Sequence, residues 1–220
     1  TGQLENMMEF IFIDAPHPCP PKPEFHPAAV DAGYYQKQAY RSWGATESTT
    51  LEESIATVVS KLDEFGPVDG IGGICDGGLI AALVASRRTD LRLYLNIASS
   101  PLSRLPEKIR ESALSITCSS IHFISSRDEL LSFQELLDIP KYCRNALLLQ
   151  HDGGHAMPVL DSELKHAILS TIDGIGFDSG QNEAPAPSLT TASAQSLTDD
   201  DYVNSVSSPP GQFDNPLEEA

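Results

Sequence analysis

The stretch Val68-Asp-Gly-Ile-Gly-Gly-Ile-Cys75-Asp-Gly-Gly-Leu-Ile-Ala-Ala-Leu83 narrows the folds open to this chain more than any other. Residues 68–74 read as a buried strand and 79–86 as the helix that follows it. Between them lies Gly73-x-Cys75-x-Gly77, the spacing of a nucleophile elbow. An elbow holds its reactive residue on a sharp, strained turn, so the positions two before and two after must lack bulk. The same turn places that residue at a helix N-terminus, where free N–H groups favour negative charge. A thiol suits the location, because its pKa can fall there and supply thiolate near neutrality. A glycine-rich turn that merely contains a buried cysteine fits the five-residue pattern equally well, so the neighbouring segments decide between the two.

Those segments alternate in type. Residues 9–13 (EFIFI) are short, β-branched and aromatic, and read as a strand. The proline-rich run 16–27 reads as loop. Residues 51–65 carry Leu51, Ile55, Val58, Val59 and Leu62 on one helical stripe, ended by Gly66-Pro67. Further strands are expected at 91–98, 120–125 and 146–150, and helices at 132–137 and 162–172. This order predicts an α/β domain whose mainly parallel central sheet is covered on both faces.

Two strand ends carry chemistry. Residues 120–125 run into Ser126-Arg-Asp128-Glu, which places an acid at the carboxyl edge of the sheet, where catalytic groups gather. A helix-capping role is the competing explanation for Asp128. Residues 146–150 run into His151-Asp-Gly-Gly-His155-Ala-Met-Pro158, a glycine-rich loop that presents His155. From there His155 can reach back to the thiol while an acid fixes its tautomer. His151 is the alternative base, but its place against the strand end suits a structural loop histidine. The order Cys75, Asp128, His155 is the nucleophile–acid–base order of α/β-hydrolases, and predicts their three-layer sandwich.

Composition excludes several other classes. The net charge of −17 would repel nucleic acid. Eight acidic residues and no Lys or Arg fall from Asp178 onward, which leaves 23 acidic against 14 basic residues and a charge of −9 before it. The final stretch turns to Ser, Thr, Pro and Asp with too few apolar residues to offset the entropy of ordering it. We expect residues 1–177 to form the domain and 178–220 a disordered acidic tail. Cys19, Cys75, Cys118 and Cys143 lie far apart, without zinc-finger spacing, and read as reduced thiols. No metal, nucleotide or flavin motif appears. No apolar run is long enough to span a bilayer and no leader opens the chain, so a cytoplasmic location (with the nucleus open to it) is expected. Nothing in the sequence assigns an oligomeric state.

The chain resembles the FSH1-type serine hydrolases in Phe10-Ile-Phe-Ile-Asp-Ala-Pro-His17, Tyr40-Arg-Ser-Trp43, Gly73–Gly77, Ser125–Leu130 and His151–Pro158. The resemblance implies an α/β-hydrolase fold and cofactor-free hydrolysis of a small carboxylic ester or other acyl substrate. It implies acid and base roles for Asp128 and His155, and places Arg41-Ser42-Trp43 near the site entrance. Two departures stand out. The family carries Ser where this chain has Cys75, an exchange known from dienelactone-hydrolase-like enzymes that turns preference toward activated esters, lactones or thioesters. Asp76 replaces an amide or small neighbour; its backbone N–H suits an oxyanion hole, while its carboxylate would oppose an oxyanion if turned inward. The family's opening strand and His-Gly loop have no counterpart before Glu9, so that strand is expected to be missing from the sheet. A Cys75–Asp128–His155 acyl hydrolase is therefore the first expectation. A non-catalytic hydrolase-like binding module or a gene fragment is the second, and a redox-sensing thiol the third.

Overall fold

A computed structural model describes residues 8–20, 40–110 and 114–175. The chain divides into two units, Thr1–Thr190 and Thr191–Ala220. The second unit, the expected boundary at 177/178 and the expected tail 178–220 lie outside the described residues.

Four parallel strands form the central sheet: β3 (Gly70–Ile74), β4 (Leu93–Ile97), β5 (Ile116–Ser125) and β6 (Cys143–His151), in that spatial order. Strands β1 (His17–Pro18) and β2 (Arg41–Ser42) make a separate antiparallel pair. Helices α1 (Ser48–Phe65) and α2 (Asp76–Arg87) precede and follow β3. Single turns α3 (Glu107–Arg110) and α4 (Phe133–Leu136) flank β5, and α5 (Ser162–Gly174) closes the domain. The register aligns Ile74, Ile97, Phe123 and Leu149 across all four strands, and Ser125 with His151. Every loop that leaves a strand's carboxyl end therefore emerges along one edge of the sheet.

Alternation along the strands sorts side chains between two layers. Leu93, Ile121, Phe123 and Leu149 pack with Ile168 and Ile172 of α5 on one face. Tyr94 and Ile116 pack on the other with Leu51, Ile55, Val58 and Leu62 of α1 and the α2 residues Leu79–Ala85. Helix α2 is buried on all sides from Gly78 to Ala85 because α1 covers the face it turns away from the sheet. This is the three-layer α/β arrangement expected. Gly66, at φ 90°, ends α1 in a conformation that favours glycine.

One expected strand does not form. Residues 9–13 are irregular, and Phe10, Ile11 and Phe12 are 51%, 48% and 91% exposed. A strand needs a ladder partner, and the pairing in this region goes instead to His17–Pro18 against Arg41–Ser42. The expected loop 16–27 thus contains a short strand, and its residues 21–27 lie outside the described residues. The helix expected at 132–137 shrinks to four residues, opened by a capping box between Ser132 and Glu135. Strands β5 and β6 are longer than expected.

A polar ladder crosses the α1/α2 side of the sheet. Asn96 Nδ2 donates to His122 Nδ1 at 2.9 Å, and His122 Nε2 donates to Ser120 Oγ at 2.9 Å. Ser120 Oγ in turn donates to Asn145 O at 3.0 Å. Every member is satisfied, which assigns the neutral Nε2–H tautomer to His122. Burial holds this imidazole down at about 3, and its ring stands edge-on to Tyr94. A histidine whose pKa is depressed on folding contributes stability that is present above its unfolded value near 6.5 and lost as pH falls toward 3. Unfolding in urea at pH 7.5 and pH 5 should therefore show a loss of about 2 kcal/mol from this group, above the range where carboxylates titrate. The loss should be absent from H122Q, and equal pH slopes in the two proteins would contradict it.

Candidate active site

Cys75 joins β3 to α2 at φ 53° and ψ −126°, outside the comfortable regions for a residue with a Cβ. The turn exists because its flanks are bare. A Cβ on Gly73 would stand 2.4 Å from the Gly77 carbonyl carbon, and one on Gly77 would stand 3.3 Å from Trp43 Nε1. The indole of Trp43 thus lies against the elbow, which brings the Arg41-Ser42-Trp43 stretch beside it. The Cys75 carbonyl accepts from Gly78 N, Leu79 N and Ser100 N at 3.0, 3.2 and 3.1 Å, tying the turn to α2 and to the loop after β4. Asp76 is the first residue of α2, where backbone N–H groups have no intrahelical acceptor.

Asp128 follows β5 and divides its oxygens between two tasks. Oδ1 accepts from Leu130 N and Leu131 N, both at 2.9 Å, and so stabilises the turn. Oδ2 meets His155 Nδ1 at 2.8 Å. The two side chains are 0% and 8% exposed. The helix cap considered for Asp128 is supplied by Ser132 instead. His155 Nε2 is buried and has no hydrogen-bond partner among the described residues. With Nδ1 engaged by the carboxylate, Nε2 is the nitrogen left to exchange a proton. Glu129 holds the loop: its Oε2 accepts from His155 N at 3.1 Å, in space that a Cβ on Gly154 would invade to 2.8 Å. Gly154 itself adopts φ 69°.

The expected residues therefore share the carboxyl edge of the sheet, with Asp128 and His155 in direct contact. Among the described residues, Cys75 Sγ has a hydrogen-bonding contact with Ser100 Oγ, 3.6 Å away, and none with His155 Nε2. His151 Nδ1 accepts from Gly153 N at 3.1 Å, closing the loop, and burial lowers its pKa. The Asp76 carboxylate points to Ser100 Oγ at 2.5 Å and to Arg104 Nη1 at 3.5 Å. Sequence reasoning missed Ser100, Arg104 and Glu129. Ser100 and Glu129 each follow a strand end, a signal that could have found them; Arg104 offers none. Among the described residues no group of His, Cys, Asp and Glu is arranged to hold a metal ion. No helix there is long and apolar enough to cross a membrane. All four cysteines are free thiols.

The family model described as "Serine hydrolase (FSH1)" matches residues 2–167. Esterase OVCA2 of Mus musculus is 27% identical over 199 residues, which cover 79% of this chain and 87% of that protein. The Homo sapiens protein of the same name is 27% identical over 201 residues, with the same coverage. Among solved structures, a cold-adapted esterase from an Arctic intertidal metagenomic library aligns with a TM-score of 0.45 at 21% identity. That alignment covers 57% of this chain and 59% of the other.

The elbow's dependence on bare flanks can be measured. G73A must displace backbone rather than a side-chain tip and should cost about 2 kcal/mol or more in urea unfolding. G174A, where an added Cβ meets nothing within 4 Å, should stay within about 0.5 kcal/mol of the parent. Similar midpoints for the two variants would show that the elbow is not sterically confined.

Proposed function

The chain belongs to the FSH1 serine hydrolase family, and from that premise we propose that it hydrolyses carboxylic esters through Cys75, His155 and Asp128. One observation carries the reading. The Asp128–His155 pair leaves Nε2 buried and unengaged, at the sheet edge where Cys75 sits in an elbow conformation. Relatives named as esterases support the bond type.

In this mechanism Cys75 Sγ attacks the acyl carbon as its proton passes to His155 Nε2. The backbone N–H of Asp76 receives the oxyanion, and Asp128 orients the ring and stabilises the imidazolium. Collapse breaks the bond to the leaving alkoxide, which takes the proton from Nε2. Water, deprotonated by the same nitrogen, then cleaves the thioester and restores the thiol. A sulfur nucleophile favours activated esters, lactones and thioesters. The reaction uses no cofactor, and the four free thiols fit a cytoplasmic setting.

Hydrolysis of p-nitrophenyl acetate tests the assignment. C75A and H155A should fall to the solution background, and D128N should lose about 10²- to 10⁴-fold in kcat. If C75A retains a parent rate above background, the triad reading fails and the nucleophile lies elsewhere; if the parent itself does not exceed background, the non-catalytic binding module takes its place.

A further inference from the structure

Beyond β4 the chain turns sharply at Ala98, whose φ is 43°, and enters Ser99-Ser100-Pro101. Backbone contacts hold this loop in place. Ala98 N donates to Phe123 O at 3.2 Å, Ser99 N to Asn96 Oδ1 at 3.0 Å, and Ser100 N to Cys75 O at 3.1 Å. Ser100 is 0% exposed, and its hydroxyl meets three groups. Arg104 Nη1 lies at 3.2 Å, Asp76 Oδ1 at 2.5 Å and Cys75 Sγ at 3.6 Å.

Donor arithmetic orders these contacts. A hydroxyl has one proton and two lone pairs. A guanidinium only donates, so Ser100 accepts from Arg104. An ionised carboxylate only accepts, so the single proton of Ser100 goes to Asp76. What remains toward Cys75 is a lone pair, which is satisfied by a thiol S–H and not by a thiolate. We propose that Ser100 is a positioning residue whose one hydroxyl proton is contested between Asp76 and Cys75. While Asp76 holds that proton, Ser100 presents only a lone pair to the sulfur. When the Ser100 O–H, its bond intact, rotates from Oδ1 to donate to Sγ, the S–H proton passes to solvent water or hydroxide, and Arg104 alone holds the carboxylate.

The charged groups around this cluster come from several elements. Asp76 opens α2, and Arg104 lies in the turn Leu102–Arg104 after β4. Asp138 Oδ2 accepts from Leu102 N at 2.9 Å, and the hydrogen bonds from Ser132 lower the pKa of Glu135, with Arg104 adding a smaller attraction. The Asp128–His155 pair stands beyond β5 and β6. The importance of the contest rests on Cys75 being the nucleophile, but its existence does not depend on turnover.

The test is the pH profile of Cys75 carbamidomethylation by iodoacetamide in the full chain, read by mass spectrometry of the Cys75 peptide. D76A should alkylate about tenfold faster at pH 7, with its profile moved about one unit lower. The same substitution in an S100A background should gain less than about threefold, since only removal of the charge remains. R104Q, at the surface, should slow alkylation at least about threefold by leaving Asp76 to Ser100 alone. No gain in D76A, equal gains in both backgrounds, or R104Q as fast as the parent would each overturn the proposal. Because the readout needs no ester, loss of the hydrolytic reading would leave this result standing, and the converse also holds.

Discussion

The close approach of Gly73 to Gly77 is the contact on which the site depends. A Cβ on Gly73 would lie 2.4 Å from the Gly77 carbonyl carbon, so strand β3 can run into α2 only through a turn without side chains. That turn forces Cys75 to positive φ and lifts its side chain out of the strand–helix layer. The strain is countered by three N–H groups on the Cys75 carbonyl, one of them from Ser100 on a different loop. The elbow and the loop after β4 therefore form one unit, and the environment of the thiol is set by both.

Parallel register brings the remaining chemistry to the same place. Ile74, Ile97, Phe123 and Leu149 align across the sheet, so the loops carrying Cys75, Ser100, Asp128 and His155 leave along one edge. The Asn96–His122–Ser120 ladder ties β4 to β5 just below that edge, and Asn96 Oδ1 also anchors Ser99 N. A buried polar network of this kind is stable because each donor has an acceptor. It couples the sheet interior to the loop that touches the nucleophile.

Asp76 looked unfavourable beside a developing oxyanion, and its placement changes that assessment. Its carboxylate is directed to Ser100 and Arg104, while its backbone N–H stays at the start of α2. One residue thus offers a donor to the oxyanion region and a charge to a separate pair. Asp128 is divided in a similar way, one oxygen holding a turn and the other holding His155.

Much of this architecture was legible in the chain itself, because its signals are local. Helical spacing in α1, bare flanks around Cys75 and apolar runs ending in Asp128 and His155 follow from periodicity and sterics within a few residues. The strand expected at residues 9–13 failed for the opposite reason: strand propensity is realised only where a partner edge exists, and a partner is a long-range fact. The same holds for Ser100, Arg104 and Glu129, whose roles depend on contacts spanning 4 to 26 positions. The sequence alone determined which residues can carry the chemistry and in what order. Only tertiary structure decided which oxygen meets which proton, because hydrogen-bond partners are chosen by register and loop geometry rather than by spacing along the chain.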